Sequence, residues 1–399
     1  MISSKSPHIY LSISRLAAVA TAVALVTFVA PGAPAAPPLS RPQVAEPNVT
    51  CARCIVVDPA GRVLWARDPR DRYPNASTTK MATALVTVAR VGLGEAVSVS
   101  ATAGGVGGGG LDLQAGDVYT VEALLYALLL DSSNESAVAL AEHVSGSEAE
   151  FVDEMNALAR SLGARRTHFS NAHGLDAEGH YASAADLATI GAEVLRTPPL
   201  DRIVATADAT IQTPRGAVGL ENRNLLLESY PGAIGIKTGR TLGAGNVLVA
   251  AARRDGQTLI AVAMNSYDTF ADSAALLDFG FAELKRLRRS TLVGAGETVG
   301  AIVFDGIGTV EVEAAAKLSG LPPASPEDLS VTIVPGRRAD LPIAPGEEVG
   351  LVQVATPSGV VGTTEAIAGD EIPTSSGGWI ARALAGVLGT FGPVVRLQT

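Results

Sequence analysis

The sequence predicts a fold of mixed α/β class (α+β), followed by a small β-rich domain. Two hairpin patterns carry the β part: strands at 55–57 and 62–65 flank an Asp-Pro-Ala-Gly turn, and strands at 246–252 and 258–264 flank residues 253–257. Apolar runs predict helices at 78–90, 121–130, 134–145 and about 271–288. After residue 290 the composition shifts to short β-type runs (299–304, 329–334, 349–354) with frequent Gly and Pro and no long helix, which predicts a separate domain over 291–373.

Length, composition and charge narrow the class of protein. The 399 residues allow two or three domains, and 47% hydrophobic with 18% charged residues excludes a disordered or coiled-coil chain. The net charge of −10 argues against nucleic acid as the main partner, because phosphate binding needs basic patches. Two cysteines are too few for a disulfide scaffold or a four-thiolate zinc site, and five scattered histidines argue against a multi-histidine metal centre. These counts predict a compact globular protein without metal or cofactor, most simply an enzyme.

The N-terminus has the three-part pattern of a secretory signal. Lys5 and Arg15 supply a basic start, an apolar stretch covers 16–30, and Ala33-Pro34-Ala35 fits a cleavage site, so residues 1–35 are predicted to be removed. The alternative is a retained membrane anchor, but the stretch falls short of the ~20 residues that span a bilayer. No cysteine follows closely, so a lipid-anchored N-terminus is not indicated. Proline-rich residues 36–50 are interpreted as a linker and 51–290 as the main domain.

Residues 104–110 contain six glycines around Val106. The stretch invites a phosphate-loop interpretation, but it lacks the closing Gly-Lys-Ser/Thr and no convincing strand precedes it. We therefore expect a flexible loop.

Three short motifs follow one another along the chain, each at the boundary of a predicted element. They are Ser77-Thr78-Thr79-Lys80, Ser132-Ser133-Asn134 and Lys237-Thr238-Gly239. Each alone is weak, because Ser77 could merely cap a helix, Ser132 and Asn134 could form a polar turn, and Lys237 could be an exposed strand end. Together and in this order they are a strong signal.

The chemistry of the three motifs is coherent. The i, i+3 spacing puts Ser77 and Lys80 on one helix face, and a serine hydroxyl becomes a nucleophile when a neighbouring base takes its proton. Lys80 can be that base if burial and a nearby cation such as Lys237 lower its pKa. Ser132 can pass a proton to a leaving amine, and the Asn134 amide can hold a substrate carbonyl through its NH2 group.

The third motif ends the apolar run 233–236, as expected for a strand that lines a site. Gly239 leaves room for a substrate backbone, and Lys237, Thr238 and Arg240 offer a cationic, hydroxyl-bearing pocket for a terminal carboxylate. The catalytic candidates are thus Ser77, Lys80 and Ser132, and the substrate-binding candidates are Asn134, Lys237, Thr238, Gly239 and Arg240.

Over roughly residues 50–290 the chain resembles the serine D-alanyl-D-alanine carboxypeptidases, the low-molecular-mass penicillin-binding proteins. Besides the three motifs and their spacing, the resemblance covers segments 74–81, 128–144, 171–176, 222–226 and 235–241, and the β segment matches the family's usual second domain. It implies a penicillin-recognising serine transpeptidase/β-lactamase-like fold, with an antiparallel sheet flanked by a helical region. It also implies Ser77 as the acylated nucleophile and Lys80 as its base. Proton delivery would fall to Ser132 and Lys237, and the oxyanion hole to the backbone N–H groups of Ser77 and Arg240.

The implied function is removal of the terminal D-Ala from peptidoglycan stem peptides, with covalent binding of β-lactam antibiotics. The nearest alternative is a serine β-lactamase, but the region about 36 residues past Ser132, His168 to Asn171, has no acid to activate a deacylating water. A D,D-endopeptidase uses the same site and stays open. A catalytically idle cell-wall binding protein is disfavoured because every motif residue is intact.

Two features depart from the family pattern. Cys51 and Cys54 have C-x-x-C spacing without a βαβ context, and in an extended strand side chains three apart point to opposite faces, which disfavours a bridge. We expect an incidental pair and not a thioredoxin-type site, and its redox state stays open. Ser133 stands where glycine is common, which we expect to affect the cleft edge only.

His168 and His173 have no third ligand nearby and are interpreted as structural.

The C-terminus, residues 374–399, predicts a hinge and an amphipathic membrane anchor. On a helix from Trp379, the apolar side chains up to Phe391, with Val394 and Val395, fall on one arc, opposite Arg382 and Arg396. The uncharged run is too short to span a bilayer, and a core helix is the alternative. The predicted location is therefore extracytoplasmic, attached peripherally to the outer face of the cytoplasmic membrane.

Overall fold

The computed structural model describes residues 44–108, 110–288, 290–304, 308–323, 328–336, 342–356, 359–371 and 394–397. The predicted signal segment 1–35 and most of the predicted linker lie outside these residues. The helices are α1 (Lys80–Arg90), α2 (Ala101–Gly104), α3 (Val121–Leu129), α4 (Asn134–Ser145), α5 (Glu148–Ser161), α6 (Ala184–Arg196), α7 (Leu200–Val204), α8 (Leu226–Ser229) and α9 (Thr269–Leu287), and a 3-10 turn covers Ala76–Thr79.

The strands fall into the main region and the C-terminal region. The former holds β1 (Arg53–Val57), β2 (Val63–Arg67), β3 (Ala96–Ser98), β4 (Val118–Thr120), β5 (Asp208–Thr213), β6 (Gly216–Glu221), β7 (Ala233–Thr241), β8 (Gly245–Arg254) and β9 (Gln257–Ser266). The latter holds β10 (Ser290–Val293), β11 (Thr298–Phe304), β12 (Gly308–Ala314), β13 (Leu318–Gly320), β14 (Ser330–Pro335), β15 (Glu348–Thr356), β16 (Gly359–Ala368) and β17 (Val394–Leu397).

The main region is built on a five-stranded antiparallel sheet in the order β2-β1-β9-β8-β7. Because side chains alternate along a strand, β9 contributes residues to two hydrophobic cores. Ile260 and Val262 belong to the core between the sheet and helices α1 to α6, and Leu259 and Ala261 belong to the core between the sheet and α9. The sheet is therefore the middle of three layers. Strand β7, which carries the third motif, lies at its edge and faces the helical region.

The helices of the main region begin where the sequence supplies caps. The hydroxyls of Thr120, Ser133, Ser147 and Ser183 each accept a hydrogen bond from the backbone N–H three residues on, at the starts of α3, α4, α5 and α6. Helix α3 is apolar nearly all round and almost wholly buried. Its end and the start of α4 are thereby fixed beside the sheet, where the second motif lies.

The elements predicted from the sequence are present with small shifts of their ends. Both hairpins, β1–β2 and β8–β9, form antiparallel pairs, and helices α3, α4 and α9 cover the predicted segments. Helix α1 begins at Lys80 and not at residue 78, because the chain first makes the 3-10 turn. The β-rich region contains a six-stranded sheet and its own core, which includes Ile302, Val310 and Val352.

The expectation that Cys51 and Cys54 are not bridged is wrong, because the two residues form a disulfide. The chain bends at Ala52, and regular strand begins only at Arg53, so the two Cα atoms lie 6.0 Å apart, within the usual disulfide range. Val49 is buried beside them, and Thr50 donates through its N–H and hydroxyl to Asp272 at 2.8 Å each. The predicted linker therefore stops before Val49.

The predicted C-terminal amphipathic helix, up to Phe391, lies outside the described residues. Val394 and Val395, which we assigned to its apolar arc, belong instead to strand β17, which pairs in parallel with β11. That part of the prediction is wrong, since the chain is extended directly after Pro393. Within the described residues, no helix has both the length and the apolar character needed to cross a membrane.

Candidate active site

The three sequence motifs meet at one cleft of about 210 Å³ between β7 and the helical region. Six of the eight predicted site residues line it, and Lys80 and Lys237 lie buried behind its wall. The lining residues are Ser77, Gly108, Ser132, Asn134, Leu175, Arg223, Thr238, Gly239, Arg240, Asn246, Val247, Thr269 and Phe270.

Ser77 lies on the 3-10 turn that precedes α1. The preceding residue, Ala76, has a left-handed backbone with φ of +48°, which a non-glycine residue rarely adopts. Because side chains three apart eclipse on a 3-10 turn, the Lys80 ammonium reaches the Ser77 hydroxyl and donates to it at 2.9 Å. The predicted pairing of serine and lysine is thus made by the turn rather than by a regular α-helix.

Lys80 is fully buried, and its Nζ has three acceptors. Besides Ser77, it donates to the Asn134 Oδ1 at 2.7 Å and to the backbone carbonyl of His173 at 2.5 Å. Burial, followed by the charges of Lys237 and Arg223, holds the pKa of Lys80 well below its ordinary value. A lysine in this environment loses its proton far more readily than a surface lysine.

A buried hydrogen-bond network supports the turn that carries Ser77. The Thr79 hydroxyl donates to the carbonyl of Ala76 and accepts from the Asn75 amide, each at 2.8 Å. His180 lies beneath: its Nδ1 accepts from the Ser170 N–H at 3.0 Å, so its Nε2–H donates to Thr79 at 2.8 Å. Burial lowers the pKa of His180 to about 4, which keeps the ring neutral near pH 7. His180 is a supporting residue that the sequence did not reveal.

The second motif lies between α3 and α4. Ser132 has a left-handed backbone with φ of +66°, and in the described part of the chain its hydroxyl has no hydrogen-bond partner. Asn134 is not simply open to substrate, as we expected: its Oδ1 is held by Lys80, and its NH2 group donates to the Gly107 carbonyl at 2.8 Å. Ser133 caps α4 and is fully buried, so it does not form the cleft edge.

The glycine-rich stretch packs directly on this motif. A methyl group on Gly110 would lie 2.4 Å from the Cα of Ser133, and one on Gly108 would lie 2.5 Å from the Asn134 amide nitrogen. Only residues without a side chain can approach so closely. The expectation of a merely flexible loop is therefore incomplete, because the glycines let backbone lie against the site.

Strand β7 carries the third motif. Lys237 is buried, and burial together with the charge of Arg223 lowers its pKa to about 7. Gly239 faces the turn that carries Ser77, with no room for a side chain between them. Arg240 is exposed at the cleft, and its guanidinium has no ion-pair or hydrogen-bond partner within the described residues.

Arg223 and Asp131 are site residues to which the sequence analysis gave no role. The Arg223 guanidinium donates to one carboxylate oxygen of Asp131 at 2.8 and 3.1 Å, and the arginine lines the cleft. Its charge acts on both buried lysines. The only sequence signal for it was the segment 222–226, quoted for the resemblance.

Segment 171–176 joins the other parts of the site. The His173 carbonyl accepts from Lys80, and Leu175 lines the cleft. Asp176 accepts from the Thr241 hydroxyl at 2.6 Å and from the Gly243 N–H at 2.9 Å, which ties the segment to the end of β7. His168 donates through Nδ1 to the Gly179 carbonyl at 2.8 Å, whereas His173 lies 3.7 Å from the Glu148 carboxylate, so the two histidines contact different groups.

Comparisons with known proteins find similarity over more than half of the chain. The family model for D-alanyl-D-alanine carboxypeptidases, Peptidase_S11, matches residues 41–268. D-alanyl-D-alanine carboxypeptidase DacF of Bacillus subtilis is 34% identical over 232 residues, 56% of this chain and 60% of that protein. DacB2 of Mycobacterium tuberculosis is 36% identical over 231 residues, 56% of this chain and 79% of that protein. The match thus spans about three fifths of the length of the first relative.

Solved structures extend the similarity. The D-alanyl-D-alanine carboxypeptidase of Mycobacterium tuberculosis is 34% identical, with a TM-score of 0.58 over 60% of this chain and 94% of that one. The Streptomyces K15 DD-transpeptidase is 29% identical, with a TM-score of 0.58 over 60% of this chain and 100% of that one. Penicillin-binding protein 5 of Haemophilus influenzae is 27% identical, with a TM-score of 0.59 over 83% of this chain and 99% of that one. The predicted penicillin-recognising fold with a C-terminal β domain is confirmed.

Proposed function

We propose that this chain, which belongs to the D-alanyl-D-alanine carboxypeptidase family, is a serine-type carboxypeptidase that removes the terminal D-Ala from peptidoglycan stem peptides. The observation that carries the proposal is the 2.9 Å contact between the Ser77 hydroxyl and a buried lysine whose pKa is lowered. A poor nucleophile and a base able to activate it lie side by side at the bottom of a cleft.

The contacts of Lys80 support its role as the base. A protonated ammonium donates to all three of its acceptors, whereas a neutral amine donates to two and turns its lone pair to the third. With two N–H groups held by Asn134 and by the His173 carbonyl, the lone pair of neutral Lys80 is directed at Ser77. The amine can then take the hydroxyl proton as the serine oxygen attacks.

The reaction proceeds through an acyl-enzyme. As Ser77 Oγ bonds to the carbonyl carbon of the penultimate D-Ala, its proton moves to Lys80, and the resulting oxyanion accepts from the backbone N–H groups of Ser77 and Arg240. The C–N bond then breaks, and the proton held by Lys80 passes through the Ser132 hydroxyl to the departing amine of D-Ala, with Lys237 assigned to assist this delivery. Water hydrolyses the ester and restores the hydroxyl. Penicillin enters the same path through its β-lactam carbonyl and stays attached.

Substrate binding falls to the residues along β7 and opposite it. The Arg240 guanidinium, which pairs with no described residue, and the Thr238 hydroxyl suit the terminal carboxylate of the peptide, because charge-assisted hydrogen bonds are the strong ones. Gly239 lets the peptide backbone lie along the strand. Asn134 acts mainly on Lys80, and since no described residue accepts the second hydrogen of its NH2 group, that hydrogen can bind a substrate carbonyl.

Three alternatives involve the same kind of acyl-enzyme. A β-lactamase of the common kind needs a carboxylate for deacylation, and no Asp or Glu is among the described residues that line the cleft. A transpeptidase or a D,D-endopeptidase differs only in the amine or bond it accepts, and the likeness to the Streptomyces K15 DD-transpeptidase favours testing transfer to an added amine.

The test is release of D-Ala from a pentapeptide ending in D-Ala-D-Ala. The wild type should release one D-Ala per peptide, and Ser77→Ala should reduce the rate to background. Ser161→Ala is the matched control and should keep full activity, because Ser161 is exposed and, among the described residues, its hydroxyl bonds only to the Leu158 carbonyl. Release by Ser77→Ala at the wild-type rate would refute the proposal. Added D-amino acid acceptors would reveal transfer.

The protein is further proposed to be exported and attached to the outer face of the membrane, with a β domain over 291–373 and a catalytic domain over 51–290 that also includes Val49 and Thr50. The support is the sequence pattern of 1–35 and of 374–399. Because β17 pairs with β11 of the β domain, the test keeps this strand and instead substitutes Leu384→Glu and Leu388→Glu within the proposed anchor. This variant should be recovered in the soluble fraction with full activity. Export is tested separately, since N-terminal sequencing of the mature protein should find a start at residue 36. A variant still bound to membranes would contradict the anchor.

A further inference from the structure

The glycine loop (residues 105–108 and 110–117) lies between α2 and β4 and rests at one end on the second motif. The Gly107 carbonyl accepts from the Asn134 amide at 2.8 Å. Gly108 and Gly110, both with φ of +98°, touch Asn134 and Ser133 too closely for any side chain. The loop therefore fixes the amide that in turn holds Lys80.

At the other end of the loop, backbone bonds join Gly116 and Asp117 to Val99 at 2.9 Å each, and Arg215 adds several side-chain contacts. Arg215 donates through Nη1 to both carboxylate oxygens of Asp117 at 2.9 and 2.7 Å. Its Nη2 donates to the Asp112 carbonyl at 2.7 Å and reaches the Tyr119 hydroxyl at 3.4 Å. The Arg215 side chain thus binds the loop backbone at Asp112, the Asp117 carboxylate at the end of the loop and the Tyr119 hydroxyl on β4.

Arg215 comes from the tip of the β5–β6 hairpin, and the tip is itself fixed. The Thr213 hydroxyl donates to the Gly216 carbonyl at 2.8 Å and accepts from the Arg215 N–H at 3.1 Å. The base of the hairpin is held next to the active site: the Asn222 N–H donates to the Ala207 carbonyl at 2.7 Å. The chain then continues into Arg223, which pairs with Asp131. The hairpin therefore spans from the cleft to the far end of the loop.

We propose that Arg215 is a positioning residue that braces the glycine loop against the second motif, so that Asn134 holds Lys80 in line with Ser77. The effect on catalysis rests on the proposed function, whereas the brace itself does not. The contacts run in one series: Arg215 to the loop at Asp112 and Asp117, Gly107 to Asn134, and Asn134 to Lys80.

The loop packs on the core through Val106, Leu111 and the buried Leu113, and its glycines add no side-chain contact, so a brace contributes to its order. Glycine loses more backbone freedom on ordering than any other residue, and it has no side chain with which to pack itself in place. The Asp117 side chain is 12% exposed and that of Arg215 is 44% exposed, so the carboxylate is fixed while the arginine can be replaced without opening a core. Arg215→Ala should therefore fold.

The test compares Arg215→Ala with Arg196→Ala. Arg196 is a matched control because it also pairs with a carboxylate, Glu193, and donates to a carbonyl, that of Pro59, but contacts none of the described loop residues. Backbone hydrogen exchange over residues 105–117 should accelerate in Arg215→Ala and stay at the wild-type rate in Arg196→Ala. This measurement needs no enzymatic activity.

Acylation by a fluorescent penicillin supplies the second readout. The rate per titrated active site should fall ~10- to 100-fold in Arg215→Ala, since small misplacements of reacting groups cost rates of that order. The final labelling stoichiometry should be unchanged, which a merely unfolded fraction would not give. Arg215→Lys keeps the positive charge but not the forked guanidinium. Its acylation rate should therefore lie between the rates of the wild type and of Arg215→Ala. Arg196→Ala should stay within about twofold, as surface ion pairs contribute little.

Unchanged exchange over the loop in Arg215→Ala, or an acylation rate equal to that of Arg196→Ala, would overturn the proposal. A wild type that penicillin does not label would count against the proposed function instead, and the exchange result would still decide whether Arg215 braces the loop.

Discussion

Gly239 and Ser77 are so close that a methyl group on Gly239 would lie 2.9 Å from the backbone nitrogen of Ser77. It would also lie 3.0 Å from the Ala76 Cβ and 3.2 Å from the Thr78 nitrogen. The edge strand of the sheet and the turn that carries the proposed nucleophile are therefore in direct backbone contact. The width of the cleft at this point depends on the absence of a single side chain.

Gly239→Ala should accordingly push β7 away from the turn. Because backbone atoms cannot yield as a flexible side chain does, the acylation rate should fall by ~100-fold, the order expected for a shift of about 1 Å in the reacting groups. The control is Gly219→Ala on β6, where an added methyl group meets nothing within 4 Å. Stopped-flow labelling with fluorescent penicillin measures both variants, and equal rates would refute the contact argument.

Arg240→Ala separates two roles of one residue. The substitution keeps the backbone N–H assigned to the oxyanion hole and removes the guanidinium assigned to the carboxylate. A lost charge-assisted hydrogen bond is worth about 1.5–3 kcal/mol, or ~10- to 100-fold in kcat/KM. Peptides ending in a free carboxylate should show this loss, and an amidated peptide should show little further loss in the variant. An equal loss on both peptides would assign the side chain a structural role.

His180 should make the fold sensitive to acid. Its pKa is about 4 in the folded protein and about 6.5 when exposed, so between these values the unfolded chain binds the extra proton. Stability should therefore fall as the pH drops from about 6.5 to about 4, by up to ~3 kcal/mol from this group. His173, whose pKa burial also lowers to about 4, acts in the same direction.

Urea unfolding of His180→Gln across this pH range measures the effect. The variant should lose part of the acid-dependent decrease in the free energy of unfolding and keep the share due to His173. His143→Gln, a substitution at the surface beside Glu95, serves as the control and should follow the wild type. A pH dependence in His180→Gln identical to that of the wild type would contradict the assignment.

Local pattern predicted the parts of the site that are close in sequence. The spacing of Ser77 and Lys80 is one turn of any helix, so their contact did not depend on whether the turn is α or 3-10. The partners that hold Lys80, Asn134 and the His173 carbonyl, are 54 and 93 residues away, and no periodicity reveals which distant backbone carbonyl meets an ammonium group.

The features that were missed have physical reasons of the same kind. Strands β5 and β6 were not predicted because each buries only one side chain, so the alternating apolar pattern is absent. The Cys51–Cys54 disulfide was disfavoured on the assumption of an extended chain, which the bend at Ala52 breaks. The glycine stretch suggested flexibility, whereas its contacts with Ser133 and Asn134 depend on tertiary packing.

The most direct test of the account is the site of covalent attachment of penicillin. Mass spectrometry of the digested, penicillin-treated protein should find the adduct on the peptide that contains Ser77, at one per chain, and Ser77→Ala should carry none. An adduct on another residue, or one that persists in Ser77→Ala, would contradict the assignment of Ser77 as the nucleophile.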